Sequence, residues 1–480
     1  MQTESSLLKR MPLLVSIAAA VALAVPAAAS ALPHVRVGPT LLMTTGGNGS
    51  NNRTTAPPSD LWQVDPAAGA ATSLGNTGFA ITGLAQDPTT GILYGVSSNN
   101  SPIAPRTLLT IDPATGSATQ VGSLGVEVRV ADISFDSIGR LFGWWDDAED
   151  DLVSIDKTTG AATKVGDAGI STRGSGSAFD KDDNYWLFGE GEGEQSTPNE
   201  EGSYHTVDVN TGRPTFKGRL TPIDRNESPI SAAAFDCARS TLYALVNAFG
   251  DSPANLVTAD LGTGALSNKG QTVTAADGLE WFCPLEFEFT APSIEVGAKK
   301  QTLAIPLVRG PRIKGAASVS FATVPGSAHA GRDFVTTSGT LSFANNVTDG
   351  SLSLTVKGDR RAGNNRSFEL ALSSPSADGT VGPPLVVTIE PAKPKAPKIK
   401  GPKSTSAERV TLKLRSNQLP SRFRCKLDRG KFKGCGKNGK KGSKFRTPQL
   451  RPGKHKLVVQ VVNGAVKKSK PAQKVITVLP

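Results

Sequence analysis

Three acidic stretches and four histidines hold most of the chemical potential of this 480-residue sequence. "WWDDAEDD" (Trp144–Asp151) sets indole rings beside carboxylates, a combination suited to a sugar or a cation. Trp144, Trp145, Asp146 and Asp147 are therefore the ligand-binding candidates. "FDKDDNYW" (Phe179–Trp186) resembles a calcium loop in spacing, but it aligns with "FDSIGRLF" from Phe135, which makes Asp180 a turn aspartate. "GEGEGEQSTPNEEG" (Gly189–Gly202) reads as a solvated loop. His34, His205, His329 and His455 each stand alone. No G-x-S-x-G, H-E-x-x-H or phosphate-binding loop is present. The expectation is a protein that is not an enzyme. The rival is an extracellular hydrolase or metal-dependent enzyme whose carboxylates converge on one face.

The charge is divided along the chain. From Pro391 onward 26 Lys and Arg face two acids, Glu408 and Asp428, a net +24, whereas residues 1–390 carry −13. A basic module of this kind can hold a polyanion such as a cell-wall polymer or an acidic glycan; the alternative is that its lysines keep it soluble or dock it on the acidic part of the chain. Phe423, Phe432 and Phe445 are its only aromatics, too few for base stacking, so sequence-specific nucleic-acid binding is excluded. At the other end, Lys9 and Arg10 precede an apolar run to Ala29, and Ala29-Ser30-Ala31 is a small-residue cleavage site. Residues 1–31 thus read as a secretory signal, with an uncleaved membrane anchor as the rival reading and no later membrane span. Secretion agrees with an even number of cysteines. Their positions favour Cys237–Cys283 and Cys425–Cys435 among three connectivities.

These residues must be positioned by short strands, because Gly (50) and Pro (33) are plentiful and no helical stripe appears after residue 30. One unit recurs: "LLTIDPATGSATQVG" from Leu108 and "LVSIDKTTGAATKVG" from Leu152. Its D-x-x-x-G turns start at Asp65, Asp112, Asp156, Asp208 and Asp260. Asp accepts local amides and Gly supplies the positive φ that closes a hairpin. A second hairpin series interleaves, at "LAQDPTTGILYGV", "ISFDSIGRLFGW", "SAFDKDDNYWLFG" and "AAFDCARSTLYAL". Four strands in 40 to 50 residues are the pattern of a propeller blade. The fold class expected is all-β: a five-bladed β-propeller over residues 40–285, with six blades as the alternative, followed by two immunoglobulin-like β-sandwiches. "GLEWF" (Gly278–Phe282) is expected to close the first blade, with Cys237–Cys283 fastening the seam.

The repeats resemble those of bacterial secreted propellers, a resemblance that implies fold and not function. Residues 287–391 resemble a Calx-beta domain through "VSFATVPGSAHAGRDFVTTSGTLSFANNVTDGSLSLTV" (Val319–Val356) and "SFELALSSP" (Ser367–Pro375). That resemblance implies calcium on clustered carboxylates, here Asp333 and Asp359. The acidic pair that usually precedes the closing strand falls on Gly363 and Arg366, which works against a site that needs six to eight oxygens. Residues 392–403 read as a stiff Pro/Lys linker. Residues 404–480 resemble a bacterial immunoglobulin-like domain through "FRCKLDRGKFKGC" (Phe423–Cys435) and "LRPGKHKLVVQVV" (Leu450–Val462), with its cysteines stapling a hairpin. Together these readings predict a secreted or cell-surface binding or adhesion protein: a propeller as ligand platform and a basic domain as tether.

Overall fold

The computed structural model describes residues 38–46, 57–125, 129–146, 150–170, 172, 175–189, 202–222, 227–248, 253–358, 363–416, 421–438 and 442–480. The expected signal segment 1–31, His34, Asp147, Asp359 and most of the Gly189–Gly202 loop lie outside them. The described residues form strands and turns, with no helix among them.

Residues 40–282 build five four-stranded antiparallel sheets. Their innermost strands are Leu279–Phe282, Ile81–Gln86, Val130–Phe135, Gly176–Phe179 and Glu227–Phe235. Each packs beside the next, and the last packs beside the first, so the five sheets form a closed cycle. The first sheet combines both ends of this region. Thr40–Met43 lies between Leu279–Phe282 and Asp60–Val64, with Leu41 opposite Trp281 on one side and Val64 on the other. Inner strands such as Ile81–Gln86 and Val130–Phe135 are buried at every position. Outermost strands such as Ala118–Ser123 are half-buried or exposed.

The recurring motif sets both the turns and the junctions between sheets. At the copy that begins with Leu108, the Asp112 carboxylate accepts the Ala114 amide at 2.9 Å, and the Asp112 carbonyl accepts the Gly116 amide at 2.8 Å. Gly116 and its four counterparts Gly69, Gly160, Gly212 and Gly264 all have φ between 72° and 83°. The glycine ending the motif has a different task. A Cβ at Gly122 would stand 2.0 Å from the Thr159 carbonyl oxygen in the turn of the next sheet. Equivalent contacts join Gly75 to Thr115, Gly166 to Thr211 and Gly270 to Ala68, and at the remaining junction Gly264 meets the Arg219 carbonyl. Both disulfides expected from position are present. Cys237–Cys283 links the turn after the fifth inner strand to the end of the closing strand.

Residues 285–389 form two sheets around a common core in which Phe334 and Phe368 stack at 3.9 Å. The C-terminal residues form a three-stranded sheet (Lys398–Lys400, Thr411–Arg415, Ser443–Arg446) and a five-stranded sheet sharing one core. Here the expected linker is corrected in part. Lys398–Lys400 pairs with Lys413–Arg415, because Ile399 packs on that core while its lysine neighbours face water.

Two stability outcomes follow. Gly122→Ala forces backbone apart at a sheet junction and should cost about 1–3 kcal/mol in urea unfolding. Gly297→Ala, with nothing within 4 Å of its added Cβ, should cost far less; equal losses would remove the junction contact from the account. Replacing Cys237 and Cys283 by Ser opens a loop of 46 residues and should cost about 4 kcal/mol in the chain-entropy picture, read from the same transition.

Candidate functional site

The innermost strands bring charged groups to the middle of the cycle. Glycines let them approach: a Cβ at Gly278 would lie 3.1 Å from the Gly83 backbone, and one at Gly83 would lie 3.1 Å from the Asp132 carboxylate. Asp132 is fully buried and accepts the Ile133 amide at 2.9 Å and the Ser177 amide at 2.8 Å. Burial still drives its carboxyl well above the usual range, and burial does the same at Asp277. At the latter, the Arg129 charge opposes the rise and Asp146 adds to it.

Where the inner strands end, a loop from residues 312–315 covers the centre. Lys314 Nζ donates to the Phe135 carbonyl and lies 5.3 Å from the Phe179 ring centre. Burial pushes Glu280 up and Lys314 down, while their opposite charges pull each back. Beside them Arg239 donates to the Phe179 carbonyl at 3.2 Å. Asn346 reaches the same rim, its Nδ2 donating to the Lys181 carbonyl at 2.7 Å. This group escapes sequence reasoning: "GLEWF" points to strand pairing and not to Glu280, and nothing local in the sequence announces what Lys314 touches.

The acidic stretches fare differently. Trp144 is corrected from ligand candidate to core residue: it is fully buried, and its Nε1 donates to Thr172 Oγ1 at 2.8 Å. Trp145 is half-buried with its Nε1 lacking a partner among the described residues, and Asp146 is ion-paired with Arg129. Asp150 accepts from the Thr172 amide and hydroxyl, and Asp151 pairs with Lys164. The stretch is thus partly built into the sheet. Asp180 is a turn residue, accepting from the amides of Asp182 and Asn184 at 2.8 and 2.9 Å and from Trp186 Nε1 at 2.8 Å. His205 is buried against Phe216, and burial lowers its pKa. His455 bridges Asp428 and the Arg451 carbonyl. Among the described residues no three His, Cys, Asp or Glu side chains are grouped to hold a metal ion.

Comparison with known proteins bears on one part of the chain. The Calx-beta domain model matches residues 284–393. Those residues form a Calx-beta domain, folded as a β-sandwich. Among solved structures, the apo-form Calx CBD1 domain shares 26% identity, covering 23% of this chain and 98% of its own, with a TM-score of 0.22. The calcium binding domain CBD12 of CALX1.1 shares 18% identity, covering 36% and 79%, with a TM-score of 0.23. No curated protein matches the chain.

Within this Calx-beta domain the described residues do not fit a calcium ion. Asp333 is buried and its carboxylate is taken by Arg332 at 2.8 Å, by Arg366 at 3.2 Å and by the His329 amide at 2.9 Å. A cation there would have to displace two guanidinium groups. Asp359, the other expected ligand, lies outside the described residues.

The C-terminal charge is organised. On the three-stranded sheet, Lys398, Lys400, Lys413, Arg415, Lys444 and Arg446 are exposed, alternating with inward Ile399, Leu412, Leu414 and Phe445. Register sets Lys400, Lys413 and Lys444 in one row across the strands and Lys398 opposite Arg415. None of the six is in an ion pair among the described residues. The two acids of this region are occupied elsewhere, Glu408 by Gln449 and Asp428 by His455.

Asp333 gives a pH test. Burial raises its pKa, but the bonds from Arg332 and His329 and the charges of Arg332 and Arg366 outweigh it, leaving a value of about 2 against an ordinary 3.8. A carboxyl lowered by folding contributes stability above its unfolded value and loses it as pH falls through the folded one. Asp333→Asn should therefore flatten the loss of stability between about pH 4 and pH 2 in urea midpoints; an unchanged slope would deny the ion pairs a role.

Proposed function

We propose that this chain is a secreted or cell-surface binding protein rather than an enzyme, held to a polyanion by its basic C-terminal domain. The observation that carries this reading is the six-cation sheet face. Like charges directly opposite on neighbouring strands destabilise a sheet. A row of three lysines with no acid between them makes physical sense where an external anion supplies the countercharge. Cell-wall polymer, acidic glycan and other extracellular polyanions share that chemistry. In this reading residues 404–480, with the strand Lys398–Lys400, are an immunoglobulin-like tether. Residues 40–285 are a five-bladed β-propeller serving as a ligand platform, a reading supported by five four-stranded sheets in cyclic contact. Two disulfides are compatible with an extracellular setting, as is the absence of a long apolar helix among the described residues.

The enzymatic alternative draws on the raised carboxyls of Asp132 and Asp277. Asp132 is already committed to two backbone amides, and neither carboxyl is hydrogen-bonded to a nucleophile or base among the described residues.

The test is retention on immobilised polyanions across a salt series: cell-wall polymer, acidic glycan and DNA. The full chain should be retained at low salt and released as salt rises, with a steep dependence. A variant with the six cations changed to Gln should elute at clearly lower salt from every matrix. Equal elution of the two proteins, or salt-insensitive retention, contradicts the tether.

A further inference from the structure

We propose that the junction between the five-sheet cycle and the Calx-beta domain is a binding site for a small anion. A cavity of about 50 Å³ lies there, under the loop that carries Arg312 and Lys314. By the volume one water requires, it has room for about three or four water-sized groups. Arg239 and Arg312 line it at 5% and 2% exposure. Each spends one end of its guanidinium inside the protein: Arg239 Nη2 on the Phe179 carbonyl, Arg312 Nη2 on Asp378. The other nitrogen of each, Nη1, is buried without a hydrogen-bond partner among the described residues. Trp281 also lines the cavity, and its Nε1 is likewise buried and without a partner among the described residues.

Three residues that line one cavity thus each carry a buried N–H donor with no acceptor among the described residues. Acceptors among the lining side chains are occupied or opposed. Asp236 accepts from Ser240 and from backbone amides, and the charge of Glu280 answers Lys314. Buried donors left unmatched are strongly unfavourable, and guanidinium donors most of all. What fits is a compact group that accepts and does not donate: a halide or the carboxylate of a small acid. Two of the donors belong to the cycle and one to the Calx-beta domain, so a bound anion would also fix the two against each other.

The experiment is thermal unfolding of the full chain in sodium chloride, bromide, acetate and gluconate at equal ionic strength, gluconate being too large to enter. Chloride, bromide and acetate should raise Tm above gluconate. Trp281→Phe removes one donor and leaves a smaller ring, and Arg312→Lys keeps the charge facing Asp378. In both, the gain from small anions, read against each variant's own Tm in gluconate, should fall, with affinity weakened about tenfold. Bromide crystals should show anomalous scattering between Arg239, Arg312 and Trp281. Equal Tm in all four salts, or a gain undiminished in both variants, would mean that the cavity holds water alone and would overturn the proposal.

Discussion

The contact between a motif glycine and the turn of the next sheet is the constraint on which this structure depends. A four-stranded sheet of this size has two edges and too little core to stand alone. Gly122 lets its outer strand come against the Thr159 carbonyl, and the same contact, varied at one junction, passes from sheet to sheet until Gly270 reaches Ala68. Thr40–Met43 then completes the first sheet by pairing with Leu279–Phe282. Closure and junction depend on each other. The sheets must meet at one angle for the last to find the first, and only a residue without a side chain allows that approach.

Closure also decides the state of the charges at the centre. Asp132 and Glu280 on inner strands, Asp277 just before one, and Lys314 on the covering loop all lose water there, which is why the three carboxyls rise and Lys314 falls. The cationic sheet of the C-terminal region is the opposite case. Its lysines and arginines stay in water, cost little individually, and act through their number and spacing. One part of the chain therefore uses charge to join its own modules, while another presents charge outward.

Much of this architecture was legible in the sequence. Asp112 and Gly116 announce a turn through the conformations those residues favour, and five copies announce five sheets. The cysteine pairs could be read from position, and the Calx-beta domain from the run between Val319 and Val356. What failed was burial of neighbouring residues in one short strand. Trp144 and Trp145 are adjacent, so their side chains point to opposite faces, yet each face meets a core: Trp144 lies within one hydrophobic cluster and Trp145 packs against another, which the strand's own sequence does not announce. The strand Lys398–Lys400 was hidden in a linker composition because one isoleucine between lysines gives no period to read. The group at Arg239, Glu280 and Lys314 joins residues far apart in the chain, and such a meeting has no local signature.

Native-state hydrogen exchange tests the closed cycle most directly. If the five sheets are one cooperative unit, amides in Thr40–Met43, Ile81–Gln86, Val130–Phe135, Gly176–Phe179 and Leu279–Phe282 share one opening free energy. Gly122→Ala would then lower protection in all of these strands together. Loss of protection confined to the sheets on either side of Gly122, with Thr40–Met43 and Leu279–Phe282 unchanged, would contradict it.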